Sequence, residues 1–96
     1  MSVLAVVKLK AHKGKGVALL AALTVPLERT SSHDGCQGSH LYMGAQSPDE
    51  LILLDEWESQ ESHAAHMVAL EKEGAYEEVT PLLEEPPQTT YYQKTG

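Results

Sequence analysis

The chain has 96 residues, with seven Lys and Arg against fourteen Asp and Glu, a net charge of −7. That balance leaves no basic footprint for nucleic acid or an anionic membrane, and the length suits one domain, expected over residues 1–96. A hydrophobic content of 42% argues against a disordered chain, and a single Cys excludes an internal disulfide.

No apolar run reaches the roughly 18–20 residues of a membrane span. The start, Met1 to Val7, has no basic leader, so with a lone thiol a reducing, cytoplasmic location is expected. Charge is uneven: Lys8, Lys10, Lys13 and Lys15 lie early, and the acids crowd between Asp49 and Glu85, where they read as a solvated surface. There is no Phe and no Asn.

In chain order, Ser2 to Ala11 is Val- and Leu-rich, with Lys8 and Lys10 at alternate positions, and reads as a strand. Gly14 and Gly16 break it. Val17 to Leu23 favours helix, and Pro26 either kinks that helix or sits in the first turn of a second one. Ser31 to Gly35 reads as a loop, Cys36 to Gly44 as a strand, Ala45 to Asp49 as a turn, and Glu50 to Trp57 as a strand completing a hairpin. Ser59 is placed to cap a helix that runs to about Glu73, where Gly74 ends it. Ala75 to Glu85 is expected as a short acidic helix, stopped by Pro86 and Pro87, before a last strand over Gln88 to Lys94.

This order, βαββαβ, predicts an α+β, ferredoxin-like fold: a four-stranded antiparallel sheet with helices on one face. Such a sheet should alternate apolar and polar. Leu51 to Leu54 and Val3 to Val7 do not, being apolar on both faces. The chain is too short to cover the second face, so a homodimer packed sheet to sheet is expected.

The chemistry concentrates between Asp55 and His66. Residues His63, His66, Met67 and Leu70 share one helical face. Turned toward the sheet, that face would carry an imidazole into an apolar pocket, where it suits a general base. Trp57 would offer a flat wall and one N–H. Read as structural groups, Trp57 is a core residue and the two histidines are hydrogen-bonding helix residues. A metal at His63 and His66 lacks a third ligand at a telling spacing; His33, His40 and Asp34 could join only through folding. Cys36 opens a strand and reads as a small buried hydrophobe. Gly14-Lys15-Gly16 lacks the spacing of a phosphate loop, and there is no Gly-x-Ser-x-Gly elbow.

Taken together, the chain resembles the antibiotic biosynthesis monooxygenase family, small dimeric α/β barrels that include quinol monooxygenases. The resemblance rests on an apolar first strand ending in Lys-Gly-Lys-Gly, an Ala/Leu helix, Asp34-Gly35-Cys36 opening the second strand, and the run from Leu51 to Trp57. His66 nine residues after Trp57 and the stretch Pro81 to Pro87 complete it. It implies oxygenation of a phenolic or quinol-like small molecule by O₂, without metal, flavin or other cofactor. His66 would be the first choice of base and His63 the second, with Trp57 positioning the ring. Tyr42, Tyr76 and His40 would bond substrate oxygens, with Leu53 and Met67 lining the pocket. The absence of Asn, with Leu53 four residues before Trp57, departs from the haem-degrading branch. The competing expectation is a non-catalytic small-molecule-binding or stress-response barrel.

Overall fold

The computed structural model describes residues 2–95. Its elements are β1 (Val3–Lys10), α1 (Gly16–Ala22), α2 (Thr24–Ser31), β2 (Cys36–Met43), β3 (Glu50–Trp57), α3 (Gln60–Lys72) and β4 (Gln88–Gln93). The four strands form one antiparallel sheet in the order β2-β3-β1-β4. The α+β, ferredoxin-like expectation therefore holds, and β3 has the bounds read from the sequence.

Pro26 is resolved in favour of two helices. Its ring would clash with the carbonyl four residues back, at Ala22, which is where α1 ends. Leu23 bridges the break and Pro26 is the third residue of α2, where a missing N–H costs no helical bond. That second helix reaches Ser31, into the stretch read as a loop.

Between α1 and the β2–β3 turn the backbones nearly touch. A Cβ on Gly16 would lie 1.9 Å from the Pro48 carbonyl oxygen, so only glycine fits. Asp49 accepts from the Gly14 and Gly16 N–H groups at 3.0 and 2.8 Å. These bonds hold its carboxyl below the usual range. The Gly-Lys-Gly turn is thus an anion nest filled by the protein's own carboxylate.

Ser59 caps α3 as expected, its Oγ accepting from the Ser62 N–H at 3.1 Å. At the other end, the Ala75 N–H bonds Leu70 O and the Gly74 N–H bonds Glu71 O, with Gly74 at φ 78. This is the pattern a C-terminal glycine permits.

The helix expected over Ala75 to Glu85 is corrected. The segment forms turns and one 3-10 turn, Thr80–Leu82. It extends the sheet edge instead: Leu83 bridges Ala11, the Glu84 N–H bonds Lys10 O, and the His12 N–H bonds Leu82 O. Pairing with β1 and the ring of Pro81 compete with helix, and clustered Glu residues add like-charge repulsion.

The two faces of the sheet differ. Val7, Leu9 and Leu51 join Leu19, Leu23 and Val79 in the core under the helices. On the opposite face lie Leu4, Val6, Ile52, Leu54, Tyr42 and Tyr92, as the register dictates. Ile52 is 38%, Tyr42 56% and Tyr92 55% exposed. No helix of the described residues is long and apolar enough to cross a membrane.

Candidate functional site

The site grows out of the end of β3 and the start of α3. Strand alternation sends Leu51, Leu53, Asp55 and Trp57 toward the helices. On α3, His63, His66 and Leu70 are buried and Met67 is half-buried, so the predicted face does turn to the sheet. Its histidines meet polar partners there, where an apolar pocket was expected.

Asp55 is the centre of those partners. It is completely buried, unlike the solvated acids around it. Its Oδ1 accepts from Ser39 Oγ at 2.5 Å, and its Oδ2 lies 3.3 Å from His63 Nε2. A carboxylate accepts only, so His63 Nε2 carries the proton of that bond. On the other side of the ring, His63 Nδ1 lies 2.8 Å from the Tyr91 hydroxyl. Ser39 reaches Asp55 because the two residues are paired across β2 and β3. A register shift between Cys36 and Gly38 sets that phase.

A second cluster surrounds His66, which is 6% exposed. Its Nε2 lies 2.9 Å from Thr30 Oγ1 on α2. Burial lowers its pKa, and the neighbouring His33 and His63 lower it further, so the ring is held neutral. The exposed ring of His33 covers it at 4.4 Å between centroids. Trp57 lies between the two histidines of α3, 5.2 Å from His66 and 5.6 Å edge-on from His63. It is fully buried, and its Nε1 has no hydrogen-bond partner among the described residues.

An apolar cavity of about 520 Å³ opens beside these clusters. Val7, Leu9, Leu53 and Thr89 of the sheet form its floor, and Met67 and Tyr76 face them. Glu71, Glu84 and Glu85 stand at its edge, with Glu84 paired to Lys10 at 3.2 Å. The Tyr76 hydroxyl donates to Met67 Sδ at 3.2 Å. Burial, with Asp55 and Glu71 adding to it, pushes that phenol up to about 12, so it stays neutral.

The predicted site residues therefore fall into three places. Leu53, Met67 and Tyr76 line the cavity. Trp57, His63 and His66 pack together next to it but do not line it. His40 and Tyr42 pair with Leu54 and Ile52 on the opposite sheet face, away from both. Asp55, Ser39, Thr30, His33 and Tyr91 were missed as site residues. Only Asp55 had a readable signal, since it shares the strand phase of Trp57. Cys36 is half-buried, and burial raises its pKa, which keeps the thiol protonated and unreactive.

Known proteins agree with this architecture. A Nitrosomonas europaea structure, named as an antibiotic biosynthesis monooxygenase, superimposes with a TM-score of 0.87 at 17% identity, over 97% of this chain and 89% of that one. Rv0793 from Mycobacterium tuberculosis gives 0.83 at 23% identity, over 100% and 97%. A conserved protein from Methanosarcina mazei gives 0.85 at 19%, over 99% and 94%. At such identities the likeness shows the fold. No curated protein matches the chain in sequence. The family profile of antibiotic biosynthesis monooxygenase, however, matches residues 2–71, through β3 and nearly all of α3. The chain belongs to the antibiotic biosynthesis monooxygenase family.

Proposed function

We propose that the chain is a cofactor-independent monooxygenase that oxidises a phenolic or quinol-type aromatic with O₂. The observation that carries this reading is the apolar cavity of about 520 Å³ between the sheet and α3, beside two buried imidazoles. A phenol gives up an electron to O₂ far more readily as its anion, so the reaction needs an apolar seat and a proton acceptor. Leu53, Val7 and Met67 supply flat apolar contact for a ring. The carboxylates at the edge disfavour a substrate that is already an anion and suit a neutral phenol. His66 and His63 are the proton acceptors at hand. A ring held neutral, as His66 is, has a lone pair to offer.

The working unit is a homodimer joined through the open sheet face. Leu4, Val6, Ile52 and Leu54 lie at its centre, where a second copy buries them.

The test is O₂ uptake with a hydroquinone. The reading predicts turnover by the wild-type protein and a fall of about 10²-fold or more when both imidazoles are replaced, in His63→Gln/His66→Gln. One observation favours a second reading, a barrel that binds small molecules without turning them over. Both imidazoles are bonded to protein groups and neither lines the cavity. That reading predicts saturable binding of the hydroquinone with no O₂ uptake.

A further inference from the structure

Which group meets the substrate's hydroxyl follows from how His63 is wired. Both of its ring nitrogens are engaged, one by Asp55 and one by Tyr91. Because Nε2 holds a proton for Asp55, Nδ1 of the neutral ring is the acceptor and the Tyr91 hydroxyl is the donor. The bonds therefore run one way, from Tyr91 through His63 to a buried carboxylate that Ser39 also bonds. Asp55 and His63 are fully buried, so a bound molecule cannot reach His63 without breaking one of these bonds. Tyr91 is only half-buried, and its oxygen has a free lone pair.

The placement suits the cavity. Tyr91 follows Thr89 on the same face of β4, and His63 precedes Met67 by one turn of α3. Thr89 and Met67 both line the cavity; Tyr91 and His63 lie beyond them on the same strand and helix faces and do not line it, so a ring seated there reaches Tyr91 only with its hydroxyl turned past Thr89. Tyr91 also borders a shallower depression of about 430 Å³ beside the start of α3.

We propose, resting on the phenol-oxidising reading above, that Tyr91 is a catalytic residue that receives the substrate's phenolic proton and passes its own to His63. In this step the substrate O–H bond breaks and a new O–H bond forms on Tyr91. The original Tyr91 O–H bond breaks and an N–H bond forms at His63 Nδ1. No electron changes hands, Tyr91 ends as the neutral phenol it began as, and the products are a substrate phenolate and an imidazolium facing Asp55. Tyr91 need never become a tyrosinate. Burial and the Asp55 charge oppose that anion by raising the pKa of the hydroxyl.

The experiment separates proton transfer from oxygenation by excluding O₂. 2-Naphthol, whose anion has its own absorption band, is bound anaerobically to the wild type, to Tyr91→Phe and to His63→Gln. In the wild type, the bound naphthol should ionise about one pH unit or more below its value in solution. The nitrogens of His63, followed by ¹⁵N NMR, should pass to the doubly protonated form as it does. Tyr91→Phe keeps the ring and removes only the hydroxyl, and should bind naphthol with affinity within about threefold but leave it neutral. Ionisation of bound naphthol in Tyr91→Phe overturns the role of Tyr91 while leaving an imidazole base in place. Bound naphthol that stays neutral in the wild type, with His63 unchanged, overturns both the relay and the base reading. The NMR signal needs no variant, so misfolding of a mutant does not rescue the proposal. Ionisation as predicted, without O₂ uptake by a hydroquinone in air, upholds the relay and overturns the oxygenase reading.

Discussion

Replacing Asp55 by Ala should be among the most damaging single changes in the protein. The carboxylate is 0% exposed and holds two donors, Ser39 Oγ and His63 Nε2. Alanine leaves the buried His63 N–H without an acceptor, at about 1–3 kcal/mol, and the half-buried Ser39 hydroxyl without its partner at a smaller cost. It also opens a small void. With the void and a partly wetted Ser39 hydroxyl, the expected loss is about 2–4 kcal/mol. For a chain of this length each kcal/mol moves the melting temperature by about 4–8 °C, so a fall of roughly 8–32 °C is expected. Trp57 is the one tryptophan, and it is buried 5.6 Å from His63, so its fluorescence reports unfolding in urea at the site itself. The midpoint should drop with the slope unchanged, at one fixed protein concentration, because association would otherwise shift it. Asp55→Asn keeps the shape and one acceptor, and should lose less than Asp55→Ala. A loss below about 1 kcal/mol in Asp55→Ala would show that the carboxylate is not bonded as described.

Four further outcomes follow. Leu54→Lys places a charge at the centre of the open sheet face and should convert a dimer to monomer in sedimentation analysis; an unchanged mass would move the interface elsewhere. Gly16→Ala drives a methyl into the Pro48 carbonyl and should cost more than about 2 kcal/mol in chemical unfolding. His66 has a folded pKa below its ordinary value of 6.5. The stability this carries is full above that value and lost as pH falls through the folded one, so the melting temperature should fall from about pH 7 to 5, less steeply in His66→Gln. Asp49 is likewise lowered, so its contribution disappears only as pH drops below the ordinary carboxylate range; Asp49→Asn should flatten the acid end of the stability curve.

The strands were readable because alternation and turn residues are local. Glu50–Trp57 was marked by its apolar run and its flanking turn residues, Pro48 before it and Ser59 after it, and β1 by Lys8 and Lys10 at alternate positions. The segment after Gly74 was not readable, because its conformation is set by pairing with Ala11 and Lys10, far away in sequence. The same divide runs through the site. That His63, His66 and Leu70 are buried together follows from helical spacing. That His63 holds Asp55 and Tyr91, while His66 holds Thr30, depends on strand register and on the seat of α2. The resemblance puts His66 ahead of His63 as base; the structure adds that the buried carboxylate of Asp55 is bonded to His63. Tyr42 and His40 could not be assigned to a face, because the phase of β2 turns on a register shift after Cys36.

The measurement closest to the central claim is a crystal structure of the protein with 2-naphthol bound in the absence of O₂. The ring should lie in the cavity between Leu53 and Met67, with its hydroxyl toward Tyr91. A ring bound on the open sheet face, or an empty cavity at saturating naphthol, would contradict the account.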